Sequence, residues 1–147
     1  MRNLLIGLAM TAAIGSLGAC ASTSTPETKP APAAPTGGAA LLGDEWKVFE
    51  IAGQPIVTGS TPSIKFADGR VSGAGSCNRF MGGYTVSDDG LKLTFSQMAS
   101  TMMACPEPLM KQEGLFLKTL EGVTGYSVAD GVLTLITADG AGVKAKR

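Results

Sequence analysis

Apolar and polar residues alternate with a period of two in several short segments after residue 45, and turn residues separate these segments. The clearest separators are Asp-Gly pairs, which stand at residues 68–69, 89–90, 130–131 and 139–140. Alternation is typical of strands with one buried face, and Asp-Gly favours type I′ hairpin turns, in which both central residues have a positive φ. An earlier strand runs through Trp46, Val48 and Ile51. The pattern predicts a mostly antiparallel β-sheet built from hairpins.

One segment, residues 106–122, breaks this alternation and spaces its apolar residues as a helix does. Its stripe consists of Leu109, Met110, Phe116, Leu117 and Leu120. Pro106 and Pro108 stand at the start, where a missing N–H costs little, and Gly122 suits a C-terminal cap. We expect one helix that packs this stripe across the sheet, in a fold of the α+β class.

The first 19 residues have the layout of a secretory signal, with Arg2, an apolar core from Leu4 to Ile14, and small residues after it. The core is well short of the ~20 residues that a transmembrane helix needs. The last four residues through Cys20, LGAC, resemble the bacterial lipobox, in which the peptidase cuts before the cysteine and lipid is attached to its sulfur. We expect a signal peptide over residues 1–19 and lipid on Cys20. An ordinary secretory signal with an incidental cysteine is the alternative.

The residues after the cysteine bear on where such an anchor would lie. Ala21 replaces the aspartate that typically retains lipoproteins in the inner membrane, so we expect the outer membrane, with the protein facing the periplasm. Residues 20–40 are rich in Pro, Ala, Thr and Ser and contain no aromatic side chain, which predicts an extended tether. At about 3.1 Å per residue it could reach roughly 60 Å. Residues 41–147 then form one small domain.

Charge and composition exclude several classes of function. Lys and Arg number 12, Asp and Glu number 12, and no basic cluster occurs before the tail at 144–147, so we expect no nucleic-acid partner. The chain has no histidine, which excludes Cys-His and Ser-His nucleophiles and His-ligated zinc. Because no G-x-S-x-G, P-loop, H-E-x-x-H or EF-hand motif is present either, we expect no enzyme, no cofactor and no metal site, with a hydrolase as the enzyme alternative.

Two cysteines remain beyond Cys20, namely Cys77 and Cys105. They are too far apart for a CxxC redox pair, and no histidine is available to activate either thiol. In an exported domain paired cysteines tend to be oxidised. We expect a disulfide, which would close a loop of about 29 residues and contribute roughly 3.5 kcal/mol in the chain-entropy model. Two buried free thiols are the alternative.

Four methionines lie close together in the sequence, at positions 98, 102, 103 and 110. Their soft thioethers could bind Cu(I). Filling of irregular gaps between helix and sheet is the favoured interpretation, because methionine adapts readily to such gaps.

Several motifs together resemble one known family. Residues 77–84, CNRFMGGY, resemble the GCN-x-F-x-G-x-Y core of META domains, except that Ser76 stands where that core has its first glycine. Residues 101–105, TMMAC, are similar to the family's T-x-M-A-C segment, with Met102 where the family often has arginine. Residues 110–120 resemble its M-x-x-E-x-x-F-x-x-x-L helix. The positions that match the family motifs are Asn78, Gly82, Tyr84, Thr101, Met103 and Glu113.

The resemblance covers nearly all of residues 41–147 and implies a curved antiparallel sheet with one helix, as in an HslJ-like bacterial lipoprotein. It also implies links to heat-shock tolerance and novobiocin resistance, without a known catalytic activity. We therefore expect a non-catalytic lipoprotein of the cell envelope, anchored in the membrane and able to act on an unidentified envelope protein. An inhibitor of an exported hydrolase, with residues 52–63 as its loop, is one alternative. A carrier of a small apolar ligand, with a cavity under the helix, is another.

Overall fold

The computed structural model describes residues 38–147, so the expected signal peptide, Cys20 and most of the tether lie outside the described residues. A short 3-10 helix, Ala39–Leu41, comes first. The strands and the helix that follow are β1 (Trp46–Ile51), β2 (Gln54–Pro55), β3 (Ser63–Ala67), β4 (Arg70–Ala74), β5 (Arg79–Val86), β6 (Leu93–Phe95), β7 (Ala99–Ser100), α1 (Glu107–Glu121), β8 (Val123–Ala129), β9 (Val132–Thr137) and β10 (Gly140–Lys146).

The strands form one antiparallel sheet in the order β6-β5-β4-β3-β1-β10-β9-β8, with β2 paired to β1 and β7 paired to β5. A bridge between Lys92 and Gly125 connects the two ends of this order. Register shifts interrupt β1, β8 and β10, and such bulges increase the local twist and bend of a strand. The sheet therefore curls into a nearly closed barrel. The predicted α+β fold, a curved antiparallel sheet with one helix, is confirmed.

The four Asp-Gly pairs lie at strand connections, but their turns differ from the expectation. Asp130 and Gly131 have φ values of 51° and 74°, as a type I′ turn requires. In the other three pairs only the glycine has a positive φ, at 67° for Gly69, 71° for Gly90 and 120° for Gly140. The type I′ prediction is therefore wrong for those three pairs. Their aspartates keep negative φ and avoid the steric cost that the left-handed region imposes on a residue with a Cβ.

The core fills the space between the curled sheet and α1. Its largest fully buried side chains are Trp46, Phe80, Phe116, Leu41, Ile51, Ile64, Leu93, Leu120, Leu133 and Leu135. Phe80 of β5 and Phe116 of α1 meet edge to face, with ring centroids 5.7 Å apart. Such aromatic pairs contribute about 0.5–1.5 kcal/mol beyond the area they bury. The second half of the apolar stripe of α1 therefore packs directly on the barrel.

The first half of α1 differs from the predicted stripe. Met110 is 43% exposed, whereas Gln112 and Glu113 are each only 7% exposed. Gln112 precedes Phe116 and Leu120 by four and eight residues, so it lies on the same helical face as these buried side chains. Two polar side chains thus enter the domain at the start of the helix.

The beginning of the described chain packs on the barrel. The Gly38 N–H donates to the Tyr126 hydroxyl at 3.1 Å, and the Trp46 indole N–H donates to the Leu41 carbonyl at 3.0 Å. The Arg147 guanidinium lies over the Trp46 ring, 4.0 Å from its centroid. Residues 38–40, which the sequence assigned to the tether, therefore lie against the domain.

Candidate functional site

The residues of the sequence motifs meet where the bend before β5, the segment after β7 and the first half of α1 come together. We call this group the motif cluster, and it consists of Cys77, Asn78, Thr101, Met103, Cys105 and Glu113. The three parts are distant in the chain, since 35 residues separate Asn78 from Glu113. Only the packing of α1 against the sheet brings them together.

Glu113 accepts hydrogen bonds from the bend before β5 with both carboxylate oxygens. Its Oε2 accepts from the backbone N–H groups of Cys77 at 2.9 Å and Asn78 at 2.6 Å. Its Oε1 accepts from Asn78 Nδ2 at 2.7 Å. Hydrogen bonds to a charged group are stronger than neutral ones, so this carboxylate is a firm link between α1 and the sheet.

The pKa of Glu113 reflects two opposing effects. Burial disfavours the charged carboxylate and raises the pKa, but the hydrogen bonds donated by Asn78 and Cys77 lower it by more. The net effect places the pKa below the ordinary glutamate value, so Glu113 is ionised at neutral pH. A general acid or base needs a pKa near the working pH, and this carboxylate is shifted in the opposite direction.

Asn78 links the remaining members of the cluster. Its Oδ1 accepts from the Thr101 hydroxyl at 2.9 Å and from the Met103 N–H at 2.6 Å. Its Nδ2 donates to Glu113 Oε1 and, at 3.4 Å, to the Met103 carbonyl. Thr101 Oγ1 also accepts from the Arg79 N–H at 3.1 Å. The amide thus uses its two donor and two acceptor positions within the protein.

The expected disulfide between Cys77 and Cys105 is confirmed. The two Cα atoms lie 5.9 Å apart, and the bond joins the bend before β5 to the residue preceding Pro106 at the start of α1. The bridge therefore joins the bend to the segment that leads into α1, whereas Glu113 joins the bend to α1 itself. Gly75 completes the bend, because a Cβ at this position would lie 2.6 Å from Glu113 Oε2.

Gly82 and Tyr84 share the motif but lie further along β5, away from the cluster. A Cβ on Gly82 would lie 3.1 Å from Met98 Cγ, so the glycine permits close packing of the segment before β7. The half-buried Tyr84 ring packs edge to face on Phe66, with centroids 5.1 Å apart. Both residues support packing of the barrel wall.

A second polar network, which the sequence did not predict, lies beside the cluster. Gln112 Nε2 donates to Ser60 Oγ at 2.9 Å and to Ser76 Oγ at 2.6 Å, and its Oε1 accepts from the Val57 N–H. Ser76 is the residue that departs from the family's glycine, and here its hydroxyl binds the helix. A polar residue at the helical spacing of Phe116 and Leu120 was the only available signal.

The methionines were expected to fill gaps between helix and sheet, and most of them do not. Met102, Met103 and Met110 are 96%, 60% and 43% exposed, so the prediction that they fill the core is wrong for these three. Met98 does pack against the core. The reason lies in the segment after β7, whose backbone at Met103 faces Asn78 and leaves the side chains outside. The three exposed side chains line a shallow surface groove of about 390 Å³, whose lining also includes Asn78 and Glu113 of the motif cluster.

The described residues contain neither a metal-binding cluster nor a membrane-spanning helix, and their buried polar groups are satisfied. Among residues 38–147, no group of three or more His, Cys, Asp or Glu side chains is arranged to hold a metal ion. No helix within this range is long and apolar enough to cross a membrane. Every buried side-chain nitrogen and oxygen of the described residues has a hydrogen-bond partner. The motif cluster is thus a saturated network, in which the polar groups are already engaged with one another.

Known proteins resemble this chain in family and in fold. The META domain family model matches residues 39–147. An NMR structure of a protein from Burkholderia xenovorans is 24% identical, with a TM-score of 0.61, and the match covers 84% of this chain and 96% of that one. A second NMR structure is 25% identical, with a TM-score of 0.58 and coverages of 72% and 91%.

A crystal structure of a DUF4847 family protein from Bacteroides vulgatus shares the fold at 14% identity, with a TM-score of 0.57 and coverages of 72% and 93%. No curated protein matches the chain.

Proposed function

This chain belongs to the META domain family, and on that premise we propose that it is a lipid-anchored, non-catalytic accessory protein of the bacterial cell envelope. In this proposal the folded domain acts by binding at its surface and contributes to tolerance of heat stress and of novobiocin. The outer membrane, facing the periplasm, is its expected location.

The observation that carries the non-catalytic role is the way the motif residues are used. Asn78 and Glu113 direct their polar atoms at the backbone of the bend before β5 and at each other. A catalytic carboxylate would need a free oxygen within reach of a substrate. The motif is therefore best explained as the structural tie between helix and barrel, with binding left to other parts of the surface.

The location in the envelope is supported by the N-terminal segment and by the disulfide. The sequence of residues 1–20 has the order of a lipoprotein signal, with Cys20 at its end. The Cys77–Cys105 bond is typical of a protein that folds in an oxidising compartment, since cytosolic thiols are kept reduced. Both features favour export and anchoring.

Two observations weigh against the alternative functions in the form that the sequence suggested. An inhibitor would need a protruding loop at residues 52–63, but Val57 and Ser60 of this segment are hydrogen-bonded to Gln112 of α1. A carrier would need an open apolar cavity under the helix, but Phe116 and Leu120 are fully buried there, and the pocket at the side of the helix measures only about 230 Å³. We therefore favour the accessory role over both.

The anchor is tested with two variants of the full chain in its source organism. Wild-type protein should incorporate a palmitate analogue and fractionate with the outer membrane, whereas Cys20→Ala should remain unlabelled and uncleaved. Ala21→Asp is the matched control, since it should keep the label but shift the protein to the inner membrane. A Cys20→Ala protein that still carries lipid would contradict the anchor.

The accessory role is tested in a strain that lacks the gene, by survival after heat shock and growth in novobiocin. Wild-type protein should restore both, and Cys20→Ala should restore neither in full. A strain whose tolerance does not change on loss of the protein would remove the proposed role, while leaving the anchor to be judged by fractionation.

A further inference from the structure

A cleft of about 550 Å³ lies at the barrel surface between β1 and residues 56–62. Phe49, Ile56 and Pro62 supply apolar lining, and Ser60 supplies a hydroxyl. This volume, and this mixture of apolar wall and few polar groups, are typical of small-molecule sites. The cleft shares no residue with the motif cluster, so the proposed structural role of that cluster does not account for it.

Three cations lie in one row across the strands at this cleft. Strand pairing places Lys47 of β1 opposite Lys146 of β10 on one side and opposite Ser63 of β3 on the other. Ser63 is opposite Ala74, and Ala74 is opposite Arg79. Directly opposed residues of neighbouring strands project from the same face of a sheet. Lys47, Arg79 and Lys146 all line the cleft.

This charge arrangement is unfavourable for folding alone. Like charges directly opposite each other destabilise a sheet, and neither Lys47 nor Lys146 takes part in an ion pair among residues 38–147. One carboxylate, Glu45, also lines the cleft and accepts a hydrogen bond from Ser63 Oγ at 2.7 Å, so three cations face one anion there. The whole chain carries equal numbers of acidic and basic residues, 12 of each, so a generally basic protein does not explain the row.

We propose that this cleft binds an anionic amphiphile, a molecule with one carboxylate or phosphate head and an acyl tail. The head would lie between Lys47, Lys146 and Arg79, whose guanidinium can bind either group with two hydrogen bonds. The tail would lie along Phe49 and Ile56. The inference gives the anchored binding protein proposed above a class of ligand, and it rests on that proposal for the supply of lipid, whereas binding itself depends only on the cleft.

The test uses the full chain in the form in which it accumulates, in zwitterionic nanodiscs if membrane-bound and in buffer if soluble. A photoactivatable palmitate should label peptides containing Phe49 or Ile56, and its methyl ester should label them far less. The double variant Lys47→Gln/Lys146→Gln should weaken palmitate labelling about tenfold, as expected for the loss of charge-assisted hydrogen bonds. The exposed Lys65→Gln on β3 is the matched control and should bind as wild type does.

A phosphate-headed probe, photoactivatable lysophosphatidic acid, distinguishes the two possible sources of the head. Labelling by either anionic probe at the cleft supports the proposal. Equal labelling by the methyl ester, labelling spread over the whole surface, or unchanged labelling of the double variant would each overturn it.

The double variant should also unfold at a urea concentration no lower than wild type, because it removes an opposed like-charge pair. A lower midpoint would assign these lysines to the fold and overturn the inference. Failure of the anchor would leave this test in place.

Discussion

Replacement of Glu113 by glutamine should destabilise the domain more than any other exchange of a glutamate for its amide. The carboxylate accepts three hydrogen bonds, from the Cys77 N–H, the Asn78 N–H and Asn78 Nδ2. Glutamine has one acceptor oxygen and one NH₂ group that only donates, so in either orientation this NH₂ group faces a buried donor. Asn78 cannot compensate by turning its amide, because its Oδ1 already accepts from Thr101 and Met103.

The magnitude follows from the groups left without partners. A hydrogen bond to a charged group contributes about 1.5–3 kcal/mol, and a buried donor without an acceptor costs about 1–3 kcal/mol. We therefore expect Glu113→Gln to lower the free energy of unfolding by about 2–4 kcal/mol, a large share of the 5–15 kcal/mol that small domains typically have. Urea denaturation at pH 7, with the disulfide intact, measures this difference.

The pH dependence gives a second measurement. The folded pKa of Glu113 is lowered, so its contribution is fully present above the unfolded glutamate pKa, near 4.3, and is lost as the pH falls through the lower folded value. The gap in stability between wild type and Glu113→Gln should be constant near neutral pH and should shrink on acidification.

Glu107→Gln on the same helix is the matched control. Glu107 pairs with Lys111 at 2.6 Å, but both side chains are 76% exposed. Its loss should cost no more than about 0.5 kcal/mol. If Glu113→Gln cost as little as Glu107→Gln, or if its gap to wild type widened at low pH, the reasoning about the cluster would be refuted.

Two further predictions concern the same bend. Cys77→Ser and Cys105→Ser should each lower the free energy of unfolding by a similar amount, about 2–5 kcal/mol, and the double variant by no more than either single, because one substitution already removes the bond. Two reactive thiols in denatured, unreduced wild type would contradict this. Gly75→Ala should destabilise by about 1–3 kcal/mol, because its Cβ would meet Glu113 Oε2 at 2.6 Å, whereas Gly114→Ala, which faces open space, should stabilise by about 0.5–1 kcal/mol. Equal effects of the two substitutions in denaturant titrations would refute the close packing at the bend.

The elements with a local cause could be predicted from the sequence. The alternation through Trp46 and Val48, the Asp-Gly connections, and the helical spacing of Phe116 and Leu120 correspond to buried positions and strand ends in the structure. These patterns depend on residues two to four positions apart, so they are visible in the sequence alone. The predicted turn type was wrong at three of the four pairs, because the identities of the two residues do not determine the φ angle of the aspartate.

The pairing of Cys77 with Cys105 was also accessible from the sequence, since these are the only two cysteines beyond Cys20. The exposure of Met102 and Met103 was not, because it depends on which side of that segment faces Asn78. An apolar residue that follows a strand carries no local sign that its backbone, and not its side chain, is the part in contact.

The sequence by itself determined the strands, the helix, the family motifs and the disulfide partners, because each rests on local periodicity or on residue identity. Tertiary structure alone decided that Glu113 turns inward to the bend before β5, and that Lys47, Arg79 and Lys146 share one row. The physical reason is register. A shift of one residue in strand pairing would reverse the face of every side chain, and the register of this barrel is set by core packing between segments far apart in the chain.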